Sequence, residues 1–201
     1  MTDDNIAKRC GHFDALYRDN PDPWQAEHSW YERRKRDILL ASLPRESYAN
    51  AFEPGCGNGV TTRALAARCG RLLAMDCSAQ AIARCRRLAA SPDDPDLEFR
   101  VGHVPQHWPE APEGPFDLIV VSELAYYLDA PALARLRECC LASLAAGGDL
   151  VLCHWLPNFD DRTLDTAQVH AAFAQVPGLV NLVSHAEPTF RLDVWRRKAS
   201  A

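Results

Sequence analysis

The stretch Glu53-Pro-Gly-Cys-Gly-Asn-Gly59 decides the fold, because it sets three glycines at alternate positions behind a short apolar segment. The residues from Ala49 to Glu53 predict a strand, and residues 60–69 predict a helix that Gly70 ends. Between them the glycines predict a tight turn. A strand, turn and helix in this order usually form the first unit of an open α/β sheet, where the turn contributes to a ligand-binding crevice.

The alternation of strands and helices continues towards the C-terminus. Further strands are predicted at residues 71–75, 97–101, 116–122 and 149–154, and helices at 78–90 and 131–144, the second ended by Gly147-Gly148. Because parallel neighbours need crossover connections, the pattern predicts the α/β class, with a mostly parallel sheet and helices on both faces. After a helix near residues 164–176, two segments of alternating apolar and polar residues, 179–187 and 189–197, predict an antiparallel hairpin.

The segment before the sheet has a different character. Residues 6–17 and about 25–43 have helical spacing, with Asn20-Pro-Asp-Pro between them and Pro44 after the second. We therefore predict an N-terminal helical cap over residues 1–48 and an α/β core over residues 49–201. The length of 201 residues suits one domain comprising both parts.

The composition is that of a globular protein, with 47% hydrophobic residues, 24% charged residues and a net charge of −5. Uncharged apolar runs such as residues 118–122 are far shorter than the ~18 residues of a membrane span. Because the polar N-terminal residues include no apolar signal region, we predict a cytoplasmic protein without integral membrane association. Basic residues are scattered rather than gathered in a stripe, which argues against a nucleic-acid partner.

A metal site is not expected. The eight cysteines form no Cys-x-x-Cys pair, and most lie among apolar residues, as buried reduced thiols do. His103, His107 and Trp108 lie in one predicted loop but do not have a spacing typical of metal ligands.

The glycine turn and the acidic residue after it indicate a nucleoside ligand. Asp76 ends the second predicted strand, 21 residues after Gly55 (76 − 55), which suits hydrogen bonds to both hydroxyls of a ribose. The dinucleotide fingerprint needs a glycine where Val60 stands, and no Gly-Lys-Ser/Thr follows, so a phosphate-binding loop is excluded. The alternative is a glycine-rich turn in a sheet that binds nothing.

The pattern resembles class I S-adenosylmethionine-dependent methyltransferases, whose first motif is an acidic residue followed by x-Gly-x-Gly-x-Gly. The resemblance covers about Ala49 to Leu156 and implies a Rossmann-like sheet and S-adenosyl-L-methionine as cofactor. It implies that Glu53 lies near the methionine amino group and Asp76 at the ribose. The other cofactor contacts that we expect are Gly55, Cys56, Gly57, Gly59, Cys77, His103, Val104, Ser122, Trp30, and either Arg34 or Arg33 at the methionine carboxylate.

Segments outside this core are similar to the NodS nodulation methyltransferase family. They are Asp22-Pro-Trp, Ser29-Trp-Tyr-Glu-Arg-Arg-Lys, Leu43-Pro, Ser122-Glu-Leu-Ala-Tyr-Tyr-Leu and His154-Trp. The resemblance spans nearly the whole chain and implies N-methylation of the free terminal amine of deacetylated chitooligosaccharides. One departure is Gly102-His103-Val104, where that family tends to carry an acidic residue; His103 or backbone would then contact the adenine.

The acceptor amine must lose a proton before it attacks a methyl group. His154, at the end of a predicted strand, is a candidate base or substrate contact, and a structural histidine is the equal alternative. Glu123 is the second catalytic candidate, because it could accept hydrogen bonds from an ammonium group or a sugar hydroxyl. Tyr126, Tyr127 and Trp155 are the expected substrate contacts.

Ser122-Glu-Leu-Ala differs from the Asn/Asp-Pro-Pro-aromatic signature of methyltransferases that act on nucleic-acid bases. This difference favours a small-molecule or oligosaccharide amine as acceptor.

Two other functions remain open. A nicotinamide-dependent oxidoreductase could use the same kind of sheet. A noncatalytic relative could keep the S-adenosylmethionine site without turnover. The sequence does not specify the oligomeric state.

Overall fold

The computed structural model describes residues 3–88, 96–110 and 113–199, which include seven strands in a single sheet. The strands are β1 (Tyr48–Pro54), β2 (Cys69–Asp76), β3 (Asp96–Val101), β4 (Phe116–Ser122), β5 (Leu144–Trp155), β6 (Leu179–Ala186) and β7 (Phe190–Arg197). Their order across the sheet is β3-β2-β1-β4-β5-β7-β6.

The sheet is parallel from β3 to β5, and β7 and β6 are antiparallel to their neighbours. The prediction of a mostly parallel sheet completed by an antiparallel hairpin is therefore confirmed. The chain builds outward from β1 to β3 and then returns to add β4 on the other side of β1. This reversal opens a crevice at the carboxyl ends of β1 and β4, where α/β sheets usually bind ligands.

Helices cover both faces of the sheet, as predicted. They are α1 (Asp3–Asp19), α2 (Trp30–Ser42), α3 (Val60–Ala66), α4 (Ala79–Leu88), α5 (Ala130–Ser143) and α6 (Thr166–Ala174), with a 3₁₀ turn at Ala125–Tyr127. Neighbouring strand residues alternate between two cores: Leu73 packs with α5 and α6, and Leu72 packs with α2 and α3. Within the described ranges, no helix is long and apolar enough to cross a bilayer.

Two predictions of a helix that ends at glycine are wrong. Gly70 does not end a helix, because α3 already ends at Ala66 and β2 begins at Cys69. Gly70 lies in the strand, where a Cβ atom would come within 3.1 Å of the Ala49 carbonyl oxygen. Gly147 and Gly148 likewise lie inside β5. In both places glycine serves a close approach between strands rather than a helix end.

Helix α2 begins about five residues later than predicted. Residues before it form a turn around Asp22, whose carboxylate accepts hydrogen bonds from the backbone N–H groups of Ala26 (2.7 Å) and Glu27 (3.0 Å). Gln25 adopts a left-handed conformation with φ of 56°, which a helix does not allow. The predicted end of α4 at residues 89–90 lies outside the described residues.

Candidate active site

A cavity of about 840 Å³ lies at the carboxyl ends of β1, β2 and β4. Its size is enough for a nucleoside ligand together with part of an acceptor. Helices α1 and α2 cover it. Of the site residues expected from the sequence, the cavity wall includes Glu53, Gly55, Cys56, Gly57, Asp76, Cys77, His103, Val104, Ser122, Glu123, Tyr126, Tyr127 and Trp155.

The glycine turn forms one wall and needs its glycines for two reasons. Gly55 and Gly57 have φ values of 76° and 55°, in the left-handed region. A Cβ atom on Gly57 would lie 2.5 Å from the Tyr17 hydroxyl oxygen. Gly59 is outside the cavity: it precedes α3, and its missing Cβ makes room for the sulfur of Cys85, 2.8 Å from the Cβ position. At Gly55 and Gly57 the turn therefore presents backbone to a ligand.

Two carboxyl groups face this turn, the buried Glu53 and the half-buried Asp76. Thr62 donates a hydrogen bond of 2.5 Å to Glu53, whose side chain takes part in no salt bridge within the described ranges. Burial raises the pKa of Glu53 to about 7. Asp76 accepts hydrogen bonds from the backbone N–H groups of Gly57 (2.9 Å) and Ser78 (2.8 Å). Burial also raises the pKa of Asp76, although these backbone donors oppose the shift.

Helix α1 closes the cavity with a stripe of side chains that we did not predict as site residues. Ile6, Cys10, Phe13 and Tyr17 line the cavity and follow helical spacing. The ring of Tyr17 meets that of Trp24 at 5.5 Å in an edge-to-face contact. The stripe is visible in the sequence, but periodicity alone does not say whether it packs on a core or covers a ligand.

The helical phase of α2 decides which of its residues reach the cavity. Tyr31 and Lys35, four residues apart, line it. Trp30 and Arg34 lie on the opposite side: Trp30 is 68% exposed, and Arg34 forms a double hydrogen bond with Glu187 (2.6 and 2.8 Å). The expected cofactor contacts of Trp30 and Arg34 are corrected accordingly.

Lys35 joins two carboxylates in the part of the cavity lined by Tyr126, Tyr127 and Trp155, which we call the acceptor end after the substrate contacts expected from the sequence. Its side chain is 8% exposed, and its ammonium group lies 2.6 Å from Glu123 Oε1 and 2.9 Å from Glu32 Oε2. Burial lowers the pKa of Lys35, but the attraction of Glu123 and Glu32 outweighs it and the pKa rises above its ordinary value. The cluster of two carboxylates and one ammonium therefore carries a net charge of −1 while both carboxylates are ionised.

The two carboxylates differ in their partners. Glu123 also accepts hydrogen bonds from the Tyr126 hydroxyl and the Trp155 backbone N–H (3.0 Å for the latter), so three donors satisfy it. Glu32 has Lys35 as its charged partner, and burial raises the pKa of Glu32 despite the opposing influence of Lys35. Burial thus makes Glu32 easier to protonate than an exposed glutamate.

His154 does not line the cavity. It lies on β5 between Cys153 and Trp155, which do line it, and neighbouring strand residues point to opposite faces. Its Nε2 accepts a hydrogen bond from the Ala125 backbone N–H (3.2 Å), and its Nδ1 lies 3.1 Å from His170 Nε2. Burial lowers the pKa of His154 well below its ordinary value. A role as the base that contacts the acceptor is therefore corrected.

Aromatic and acidic side chains complete the acceptor end. Tyr127, Trp155 and Phe159 line it, together with Asp160 and Asp161. Trp155 meets the Tyr31 ring edge-on at 5.1 Å. Aromatic faces suit the apolar face of a sugar ring, and carboxylates suit its amine and hydroxyl groups. We did not predict Phe159 or its acidic neighbours, because a loop sequence has no periodicity that gives side-chain direction.

Comparison with known proteins agrees with this geometry. Residues 51–148 match the family model described as a methyltransferase domain. A crystal structure from Pseudomonas syringae, assigned as a methyltransferase, is 46% identical and has a TM-score of 0.73, covering 84% of this chain and 100% of that one. The chain belongs to the class I S-adenosylmethionine-dependent methyltransferases. Within this methyltransferase family, N-methyltransferase NodS from Bradyrhizobium japonicum WM9, solved with S-adenosyl-L-homocysteine, has a TM-score of 0.78 at 25% identity, covering 94% of this chain and 97% of that one.

Curated methyltransferase relatives include nodulation proteins. Nodulation protein S of Rhizobium tropici is 39% identical over 132 residues, which are 65% of this chain and 53% of that protein. Nodulation protein S of Sinorhizobium fredii is 36% identical over 132 residues, 65% of this chain and 59% of that protein. The chain thus spans between half and three fifths of the length of these relatives.

The cavity fits S-adenosylmethionine, the methyl donor of this methyltransferase family. Glu53 is a buried carboxyl with a neutral hydroxyl partner, which suits the ammonium group of the methionine part. Asp76 lines the cavity beside the glycine turn, where it suits ribose hydroxyls. Arg36 on α2 lines the same cavity, where its guanidinium group suits a carboxylate.

Proposed function

We propose that this protein transfers a methyl group from S-adenosylmethionine to an amine of a small molecule, such as the terminal glucosamine of a deacetylated chitooligosaccharide. The observation that carries the proposal is the cluster of Glu32, Lys35 and Glu123 at the acceptor end of the cavity. Its net negative charge attracts an ammonium group, and the neighbouring aromatic rings suit a sugar. The similarity to NodS, an N-methyltransferase, supports the same acceptor class.

In this proposal the protein mainly binds and orients two molecules. Glu53, Asp76 and Arg36 hold the donor through its amino, ribose and carboxylate groups. When bound, S-adenosylmethionine supplies an electrophilic methyl carbon, so that the nitrogen lone pair forms the N–C bond as the C–S bond breaks and its electron pair stays on sulfur. Tyr127 and Trp155 orient the acceptor so that its nitrogen meets this carbon in line.

The acceptor nitrogen needs a free lone pair, and Glu32 is the group that we assign to take its proton. Glu32 lines the cavity and has a raised pKa, whereas three donors already satisfy Glu123. When an ammonium acceptor gives its proton to Glu32, the N–H bond is replaced by an O–H bond. Lys35 then keeps Glu123 as its ion-pair partner, so the cluster becomes neutral without leaving an unpaired charge.

The two alternative functions are weaker. A nicotinamide-dependent oxidoreductase lacks support because Val60 replaces a fingerprint glycine and the family match is to a methyltransferase domain. A noncatalytic relative would bind the donor without turnover, which the experiment below detects. The cytoplasmic location, the single-domain organisation and the absence of a nucleic-acid partner stay predictions from the sequence.

The deciding experiment has two stages. Calorimetric titration with S-adenosyl-L-homocysteine, with NADH as control ligand, tests the donor site. Transfer of isotope-labelled methyl groups to chitooligosaccharides with a free terminal amine, compared with fully N-acetylated ones, then tests the acceptor. We expect binding of the first ligand alone and transfer to the free amine alone. Binding of NADH, or donor binding without transfer to any amine of a broad panel, contradicts the proposal.

Glu53 gives a prediction about protons released when the donor site fills. With a pKa of about 7, Glu53 is mostly protonated at about pH 6. An ammonium group beside it lowers that pKa, so binding of S-adenosyl-L-homocysteine at that pH is expected to release about one proton. Calorimetry in two buffers of different ionisation enthalpy measures this number. The Glu53→Gln variant should release none, and equal release by both proteins would place the ammonium group elsewhere.

A further inference from the structure

Three buried side chains form a hydrogen-bonded chain behind the acceptor site. His170 Nδ1 lies 2.5 Å from Asp193 Oδ2, and His154 Nδ1 lies 3.1 Å from His170 Nε2. The chain ends at the backbone N–H of Ala125, 3.2 Å from His154 Nε2. The two histidines are 0% exposed and Asp193 is 1% exposed. We refer to Asp193, His170 and His154 as the histidine relay.

The hydrogen-bond partners fix where each proton of the relay resides. Because a backbone N–H can only donate, His154 Nε2 must accept, and the neutral ring then carries its proton on Nδ1. His154 Nδ1 donates to His170 Nε2, and His170 donates from Nδ1 to Asp193. Burial favours neutral rings and lowers the pKa of both histidines. One arrangement of protons therefore satisfies the whole relay.

Asp193 is a fixed end point for this chain. Besides His170, Ser184 donates to it at 2.5 Å and Arg191 at 2.7 Å. Burial raises the pKa of Asp193, but these donors outweigh burial and bring the pKa to about 2. Asp193 lies on β7 and His170 on α6. The hydrogen bonds of the relay therefore couple the position of the segment at Ala125 to the positions of β7 and α6.

The third element is the segment that carries the acceptor-side groups. Ala125 opens the 3₁₀ turn, and the residue before it, Leu124, provides no side-chain cap. His154 supplies the acceptor for this backbone N–H, which helix starts otherwise leave without a partner. Two residues earlier, Glu123 adopts a left-handed φ of 52°, a conformation that persists only where neighbours hold it.

The same segment also fixes the loop that follows β5. The carbonyl oxygen of Tyr126 accepts hydrogen bonds from the backbone N–H groups of Thr163 (2.9 Å) and Leu164 (3.0 Å). This loop contributes Phe159 and Asp161 to the cavity. A displacement of the 3₁₀ turn would therefore change both walls of the acceptor end, whereas the hydrogen bonds that Asp76 accepts from Gly57 and Ser78 do not involve this segment.

We propose that the histidine relay positions the Glu123–Tyr127 segment for the acceptor, which makes His154 and His170 positioning residues rather than catalytic ones. The inference rests on the proposed function, because its kinetic effect is defined for acceptor methylation. It gives His154 a role different from that of a base. The relay acts through the Ala125 backbone N–H, and its loss should leave donor binding intact.

The test compares two substitutions at one position with a matched control. His154→Leu removes the acceptor for the Ala125 N–H, and His154→Gln keeps a side-chain oxygen that can accept it. We expect kcat/KM for the acceptor to fall roughly 10–100-fold in His154→Leu, mostly through kcat, and to recover to within about threefold in His154→Gln. The dissociation constant of S-adenosyl-L-homocysteine should change by less than about twofold.

Phe173→Leu is the control for general loosening. Phe173 is fully buried on α6, in the same core as the relay, but makes no hydrogen bond in it. If Phe173→Leu and His154→Leu are equally stable and lose the same amount of kcat, the relay contributes no more than other buried residues of the core. That result would overturn the proposal. Failure of His154→Gln to recover activity while folding like the wild type would do the same.

Imidazole nitrogen NMR tests the relay independently of turnover. We expect both His154 and His170 to be neutral and protonated on Nδ1, with or without S-adenosyl-L-homocysteine. A charged ring, or an Nε2-protonated His154, would overturn the proposed arrangement. If the wild-type protein methylates no amine, the proposed function fails, and the NMR result still decides whether the relay exists.

Discussion

Glutamine in place of Glu32 is expected to lower kcat/KM for an ammonium acceptor roughly 10²–10⁴-fold at neutral pH, the usual contribution of a positioned general base. The substitution keeps the size of the side chain and its place beside Lys35 but removes the ability to take a proton. Binding of S-adenosyl-L-homocysteine should be unchanged, because Glu32 lies at the acceptor end of the cavity.

The pH dependence separates this role from a purely structural one. Burial raises the pKa of Glu32, so the wild-type rate should fall at acid pH as this carboxylate becomes protonated. Without the carboxylate, Glu32→Gln depends on the fraction of acceptor that is already a free amine, which rises tenfold per pH unit below the pKa of its ammonium group. The deficit of the variant should therefore shrink as the pH rises towards that value.

Glu187→Gln is the matched control for the Glu32 substitution. Glu187 also contacts α2, through Arg34, but on the outer side of the helix. Its pH–rate profile should follow that of the wild type. A Glu32→Gln profile parallel to the wild-type profile at every pH would exclude Glu32 as the proton acceptor and leave water in that role.

The features that the sequence predicts well are those in which local pattern and global position agree. The glycine turn needs left-handed backbone at Gly55 and Gly57, and no other residue type adopts it as easily. Asp76 follows because parallel strands place their carboxyl ends at one edge of the sheet. The backbone of the glycine turn and the position of Asp76 at a strand end are local constraints. The alternation of strands and helices predicts the parallel sheet that brings them together.

The residues that the sequence assigns wrongly depend on the direction of a side chain. Trp30 and Arg34 are in the right helix, but each comes one residue, about 100° around the helix, before a residue that lines the cavity, Tyr31 and Lys35 respectively. His154 is at the right end of the right strand but on the opposite face. A shift of one residue along a helix or strand changes the direction in which the side chain points, and with it the role of the residue. The sequence alone does not fix this direction, because it depends on tertiary contacts.

The Glu32–Lys35–Glu123 cluster escaped the sequence analysis for a related reason. Lys35 stands in a run of charged residues, Glu32-Arg-Arg-Lys-Arg36, which is typical of a solvated helix surface. Its partner Glu123 is 88 residues away in the chain and meets it at 2.6 Å only because α2 covers the end of β4. Such a long-range pair has no signature in a single sequence.

The burial of Lys35 gives the second large expected effect. We expect Lys35→Met to lower the free energy of unfolding by about 2–4 kcal/mol, because removal of one member of a buried ion pair leaves the other without its counter-charge. The figure is at the lower end of the usual range since Glu32 and Glu123 keep 21% and 29% of their side-chain surface exposed. Chemical denaturation monitored by tryptophan fluorescence measures it.

Two further variants decide whether charge or packing causes this loss. Arg34→Met, on the outer side of the same helix, breaks the more exposed pair with Glu187 and should lower the free energy of unfolding much less than Lys35→Met does. The double variant Lys35→Met/Glu123→Gln removes one of the two carboxylates left without Lys35 and should regain part of the loss, with a coupling of about 1–3 kcal/mol between the two positions. If the losses of the two single variants simply add up in the double variant, Lys35 stabilises the fold through the packing of its methylene groups. The cluster would then lack the charge balance that an ammonium acceptor requires.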